Sequence, residues 1–577
     1  MTFGKLTLNP ATNPGVLDTE TWDVASAAEQ LCRSDSDWLA FQRAAQQGAA
    51  LPALAGLRLW EETFAHASDG VWVLAGLPDG QSAFCCIGCE HPAALPGESI
   101  AGKRLNASTW LTAFRTDALN LDRFCRALRP DKGPRALGAI PRLGIGTRMT
   151  TQVWPGIFDA MTRQGLAANA IQNSIRELSL LEDLLAALPP ETNYSTGIGQ
   201  IETGWTGSTY EGLWVAGVLA ALRTKGPLRY GADADHIQVK RGPAGIERAK
   251  RILRAARYYS FYTLDMADVL NYAALDASST GAAGAFLAEK IPDATERRGI
   301  VAHHTAAFAA GHHRVRLTEA VAGRLVGKYW DTLNTVSDLA GYLASLRNGV
   351  PFDLELTIDE HPPEVAAFDC LTTSEEVLFL AREVRRRGLP ITHLAPNFGQ
   401  EKGYDYRCPD GLEGLESRVR VQFAIASEFG LLLDVHSGDD LSPASRRVFG
   451  RATGGQVHFK VSPMLQLIYA RLLQDFHPGL FARWWEDALI YARREAARGS
   501  PVAREDLAAF DASPDPRPSP RHKVFHDYSF PFVGRRDQHG QFRHREEFYR
   551  LSPQFGAAYQ QEVSAWLCQL AEDVFPM

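Results

Sequence analysis

From residue 137 onward the chain alternates short apolar runs with helical sequence. The runs cover 137–146, 166–172, 227–234, 259–264, 352–360, 391–396, 431–436 and 456–461. Eight strands, most of them separated by helices, are what an α/β fold of the (β/α)8 TIM-barrel type requires, and few other architectures use that pattern. Between the fourth and fifth runs, residues 275–348 read as helices without a strand, an insertion rather than a ninth unit.

A chain of 577 residues is too long for one hydrophobic core. The pattern predicts an N-terminal α+β domain over 1–133, a barrel over 134–500 and a linker with a C-terminal appendage over 501–577. In the first part, 71–76 and 82–89 read as paired strands about the turn Pro78-Asp79-Gly80. In the last part, Pro514, Pro516, Pro518 and Pro520 mark an extended linker. A short aromatic strand and a helix over 555–575 are expected beyond it. A net charge of −7 gives no reason to expect nucleic acid or an anionic membrane as partner. The apolar run 213–222 is half the roughly 20 residues that cross a bilayer. The first residues lack a signal-peptide pattern, and eight scattered cysteines make no disulfide framework, so the expected compartment is the cytoplasm. Cys86-Ile87-Gly88-Cys89 with His91 has half a zinc-site spacing but no second cysteine pair to complete it.

In a barrel the strand ends converge on one mouth. Asp235 and His236 end the third strand and Asp265 the fourth. The fifth brings Glu355, Asp359 and Glu360, the seventh His436, the eighth His458 and Lys460. Three imidazoles with carboxylates suit a divalent cation such as zinc or manganese. On the fifth strand, Glu355, Thr357 and Asp359 share one face. Two other clusters have plainer readings. His303-His304 and His312-His313 do not share a helical face, and Arg385-Arg386-Arg387 sits at a helix C-terminus, where cations complement the dipole.

Several blocks together resemble the tagaturonate epimerase family of hexuronate catabolism. They are Gln172-Asn-Ser-Ile-Arg-Glu-Leu178, Gly231-Ala-Asp-Ala-Asp-His236, Glu355-Leu-Thr-Ile-Asp-Glu360, Leu394-Ala-Pro-Asn-Phe398 and Glu401-Lys-Gly-Tyr-Asp405. His436-Ser-Gly438 with Asp440, and His458-Phe-Lys460, complete the set. The resemblance implies a metal-dependent barrel epimerase interconverting tagaturonate and fructuronate, small sugar acids. It implies His236, His436 and His458 as metal ligands, and Asp235 with an acid of the fifth strand, Glu360 by preference or Asp359, as the proton-transfer pair. Arg176, Lys402, Lys460 and Asp440 are its substrate-binding candidates. The chain departs from the family pattern at Asn397, Leu441, Val461 and Pro463. An aldolase or isomerase of another keto-sugar acid, or a non-catalytic sugar-acid binder, are the alternative expectations.

Overall fold

The computed structural model describes all residues except 34, 149–150, 196–197, 277–279, 360–364, 366 and 576–577. The N-terminal part folds around a five-stranded antiparallel sheet: β1 (Arg58–Ala67), β2 (Gly70–Gly76), β3 (Ser82–Gly88), β4 (Ser99–Arg104) and β5 (Trp110–Arg115), in the order β1-β2-β3-β5-β4. Alternation along β2 makes both faces apolar. Val71, Val73 and Ala75 join the cluster containing Leu31, Trp38 and Phe41 of the preceding helices. Trp72 and Leu74 join the main core, which also contains the barrel. Cys85 and Cys86 lie buried in β3 as small apolar residues.

Eight parallel strands follow and close into a barrel in chain order: β6 (Arg142–Gly146), β7 (Ala168–Ser174), β8 (Tyr230–Gln238), β9 (Phe261–Asp265), β10 (Asp353–Thr357), β11 (His393–Ala395), β12 (Leu432–Val435) and β13 (His458–Val461). Each coincides with one of the eight expected runs. One expectation shifts. The helix Glu319–Arg347 packs on both Gly242–Ala255 and Ser374–Arg387, so it is the barrel's own crossover between β9 and β10. The insertion is therefore shorter than 275–348, and it holds a small hairpin, Phe308–Ala310 with His313–Val315, beside its helices. Within it His304 is buried, stacked on Phe379 and 2.9 Å from Glu383 Oε1. Arg386 and Arg387 pair with the same Glu383, and Arg385 donates to the Glu428 carbonyl, so the arginine run serves helix packing.

The C-terminal expectations need two corrections. Pro501–Asp511 is a helix, so the extended stretch begins only after it. The aromatic strand is instead a short helix, Lys523–Tyr528, followed by turns with a single bridge between Arg536 and Phe542. Phe525 stacks on Trp485 and meets Trp484 edge to face, as Phe548 meets Trp484 and Phe530 meets Tyr491, while Phe530 lies tilted on Trp205; this ring-to-ring packing replaces a strand ladder. The last helix, Pro553–Val574, lies against the helices Trp154–Gln164 and Pro443–Thr453. No helix among the described residues is long and apolar enough to cross a membrane.

Strand alternation fills the barrel with polar rather than apolar side chains. At the bottom, Arg142 of β6 reaches across to Asp353 of β10 at 3.0 Å, both buried. Asp353 also accepts the amides of Leu137 and Gly138, so the pair ties down the segment entering the barrel. Above it the rings of Phe261, His393 and His458 meet edge to face at 4.8 to 5.3 Å. The next levels are Asp233, Glu355 and Asp434, then Thr263 and Lys460, then Asp235 and His436. Such a core survives only where each charge has a partner.

Candidate active site at the barrel mouth

A cavity of about 840 Å³ opens at the C-terminal ends of the strands, lined by Gln172, Asp235, His236, Asp359, His436 and Lys460 among others. That volume lies in the range of small-molecule sites. A smaller cavity of about 410 Å³ between the N- and C-terminal segments involves no barrel strand, and its Glu546 and Glu547 are paired with Arg550 and Arg483.

Local backbone geometry delivers the mouth residues. In a regular strand Asp235 and His236 would face opposite sides. Here β8 shifts register against β9 between Ala234 and Ile237, and His236 adopts φ +45°, so both side chains reach the cavity. Ser437 (φ +52°) and Arg148 (φ +49°) take the same left-handed conformation just beyond β12 and β6. Each costs about 1 kcal/mol or more for a residue with a Cβ, and such strain clusters at working sites. Gly438 is imposed by packing, because a Cβ there would lie 2.1 Å from the Phe459 ring. Gly144 leaves room for Lys460 and His458, which a Cβ would meet at 2.6 and 2.9 Å.

Lys460 organises the charges. Its Nζ lies 2.6 Å from Glu355 Oε2, 2.9 Å from Asp235 Oδ1, 3.4 Å from Asp233 Oδ2 and 3.5 Å from Asp434 Oδ2, and donates to Thr263 Oγ1 at 2.9 Å. Burial opposes charge on Glu355 and Asp235, yet Lys460 with His436 or His236 holds both well below the ordinary carboxylate range. Burial, reinforced by neighbouring carboxylates, pushes Asp233 and Asp434 up. The core thus holds Glu355 and Asp235 ionised and shifts Asp233 and Asp434 toward the neutral form, and of these four acids Asp235 alone lines the cavity.

His436 Nε2 lies 2.8 Å from Glu355 Oε1, and its Nδ1 lies 2.8 Å from Asp359 Oδ2. His236 Nδ1 meets Asp235 Oδ1 at 2.9 Å, and the His236 and His436 rings are 4.6 Å apart. Burial works against protonation of both rings, but these carboxylates raise both pKa values.

The expected three-histidine set divides. His458 pairs with Asp434 in register, two residues below the level at which β12 delivers His436. It is fully buried beneath Lys460, does not line the cavity, and has its Nδ1 2.6 Å from Asp434 Oδ2. With Glu355 and Asp434 it forms the one group of described residues whose ligand atoms all lie within 4.8 Å of one another. His436 Nδ1 and His458 Nδ1 are buried, close to a carboxylate, and in no hydrogen bond. Such imidazole and carboxylate donors fit a divalent cation.

The other expected residues are placed as follows. Asp359, Arg176 and Lys402 line the cavity, as do Asp265 and Lys460. Glu360 lies outside the described residues. Asp440 does not line the cavity: it accepts the Gly403 amide at 2.8 Å and lies 3.5 Å from His526, so it fixes the loop that carries Lys402. Asn397 is buried, donating to the carbonyls of Ala367 and Cys370, and Leu441 is buried as well. Asp233 and Asp434 escaped the sequence reading, although each stands two residues before a predicted site residue and so shares its face. Arg148, Trp205 and Phe530, also on the cavity wall, carry no such signal.

Residues 201–498, just over half of the chain, match the family model for tagaturonate epimerase. The "Tagaturonate/fructuronate epimerase" of Thermotoga maritima is 26% identical over 363 residues, which are 61% of this chain and 63% of that protein, so the chain matches less than two thirds of this relative's length. Two glycerol-complexed crystal structures of fructuronate-tagaturonate epimerase UxaE from Cohnella laeviribosi share the fold. One superposes with a TM-score of 0.64 at 20% identity, covering 90% of this chain and 96% of that one. The other gives 0.63 at 20% identity, covering 93% and 99%. All the quoted sequence blocks except Gln172–Leu178 fall inside the matched region, and by that match the chain belongs to the tagaturonate epimerase family.

Proposed function

We propose that this protein interconverts D-tagaturonate and D-fructuronate by breaking and re-forming a carbon–carbon bond. The observation that carries the reading is the mouth itself, where ionised Asp235 and the acid–imidazole pair of Asp359 and His436 face one cavity. The inverted carbinol carbon is β to the ketone, so loss of an α-proton cannot epimerise it. Removal of the carbinol O–H proton can. The bond between the α- and β-carbons breaks, its electron pair passes to the ketone as an enediolate, and the β-carbon becomes an aldehyde. The aldehyde turns its other face, the bond re-forms, and the proton returns to the new alkoxide.

Asp235 suits the proton-accepting role because Lys460 and His236 keep it ionised while it borders the cavity. Asp359, next to His436, is the second acid in reach. Lys460 acts from below, fixing Asp235 and Glu355, instead of binding the substrate carboxylate. His236 and His436 would hold a divalent ion such as Zn²⁺ or Mn²⁺, leaving Asp235 and Asp359 to the proton. When bound there, it supplies Lewis acidity toward the ketone oxygen.

Purified protein is incubated with D-fructuronate in D₂O and followed by NMR. Tagaturonate should accumulate, with no deuterium at the inverted carbon. Chelation followed by dialysis should abolish turnover, and a divalent metal should restore it. Three-carbon products without tagaturonate would make the protein an aldolase, and deuterium at the inverted carbon would exclude the bond-breaking route.

A further inference from the structure

The cavity lining also carries positive charge that the proposed chemistry does not use. Arg148, just past β6, lies with its guanidinium 5.1 Å from the centre of the Trp205 ring, and both line the cavity. Its Nε donates to Ser462 Oγ at 3.2 Å and lies 3.3 Å from Glu177 Oε1, while Nη1 donates to Gln466 Oε1 at 3.4 Å. Gln466 in turn donates to Ser529 of the C-terminal appendage. The guanidinium is therefore held in one orientation by groups from three segments, on a backbone in a left-handed conformation. Glu177 offsets one positive charge and is itself fixed, its Oε2 accepting from Asn173 Nδ2 and the Ser174 amide.

Arg176, beyond β7, and Lys402, on the loop after β11, line the same cavity. Among the described residues no hydrogen bond or ion pair holds the Lys402 ammonium. Enclosure by the cavity walls, then the nearby charges of Arg148 and Arg176, push its pKa down, although the side chain still faces cavity solvent. Three cations crowded on one wall repel one another, and an anion between them relieves that repulsion.

We propose that Arg148, which no family motif marks, joins the expected Arg176 and Lys402 as the rigid member of an anion subsite that grips the terminal carboxylate of the substrate. The inference rests on the sugar-acid reading above and adds an orientation to it. The carboxylate end lies against Arg148 and Trp205, which directs the keto-alcohol end toward Asp235, His236 and His436. Because the carboxylate is remote from the bond that breaks, its grip is equal in ground and transition states, so losing it raises KM more than it lowers kcat.

The test compares D-fructuronate with D-fructose, which has a hydroxymethyl group in place of the carboxylate, and with D-fructose 6-phosphate. Binding is measured by calorimetry on the metal-loaded protein, and KM and kcat wherever turnover occurs. The wild type should bind fructuronate at least tenfold tighter than fructose. Arg148→Met and Lys402→Met should each raise KM or Kd for fructuronate tenfold or more while lowering kcat less than threefold, and Arg148→Lys should recover part of the loss. Melting curves establish that each variant is folded, and Lys402→Met, on an exposed loop, serves if Arg148→Met is not. Wild-type protein that prefers fructuronate but never converts it refutes the epimerase reading and leaves the subsite standing. Equal binding of fructose and fructuronate, tighter binding of the phosphate than of the acid, or variants with unchanged KM would overturn the subsite.

Discussion

Replacing Lys460 by Met tests whether one ammonium balances the acidic barrel core. Met is one atom shorter than Lys, keeps the apolar stem, and removes the charge together with its N–H donors. In the wild type the ammonium touches Glu355 at 2.6 Å and Asp235 at 2.9 Å, with the lysine 3% exposed. Removing one partner of a buried ion pair costs about 3–5 kcal/mol, because the other charge is left without compensation. Its pH dependence is distinctive. Without Lys460 the folded-state pKa values of Glu355 and Asp235 rise from their depressed positions, so the folded variant binds more protons than the folded wild type and its deficit grows as pH climbs through the raised values. The penalty should therefore be present at pH 5 and larger at pH 8, because the variant's acids can take protons at the lower pH and must bear charge without the ammonium at the higher one. Urea unfolding followed by tryptophan fluorescence, wild type against variant at both pH values, measures it. A loss under about 1 kcal/mol at pH 8, or the same loss at both, would show that the acids are neutralised by something other than Lys460.

Two further outcomes concern elements around the site. His526 is mostly buried between Asp527 at 2.6 Å and Asp440 at 3.5 Å; burial lowers its pKa, but these carboxylates win and raise it to about 9. A raised folded pKa contributes stability that is fully present below about 6.5 and is lost as pH climbs through 9, roughly 3 kcal/mol at most, so the wild type's advantage over His526→Gln should shrink across that window in urea titrations. Gly438→Ala should cost about 1–3 kcal/mol because its Cβ would strike Phe459, and Phe459→Leu in the same chain should return part of it; thermal midpoints of the two variants that match would argue against the clash.

The barrel was legible because apolar strand runs alternating with amphipathic helices leave little architectural choice, and all eight runs became its strands. Its depth was less legible. Period-two alternation, applied in the sequence reading only to the fifth strand, puts Asp233 with Asp235, Asp434 with His436 and His458 with Lys460 on shared inward faces. What alternation lacks is the stagger between strands. β13 begins at His458 and pairs it with Asp434, so a histidine expected at the barrel mouth lies two residues below it in space. The same limit explains Arg148, whose role depends on Trp205, Gln466 and, through Gln466, Ser529, none of them near it in the chain. Lys460 shows what the stagger accomplishes. Set one level above Asp233, Glu355 and Asp434 and just below Asp235, a single ammonium bridges the levels and keeps ionised the one carboxylate among them that lines the cavity. Shifting β13 by two residues would put an imidazole at that level and take the ammonium up to the mouth, separating the acids from the cation that orders them.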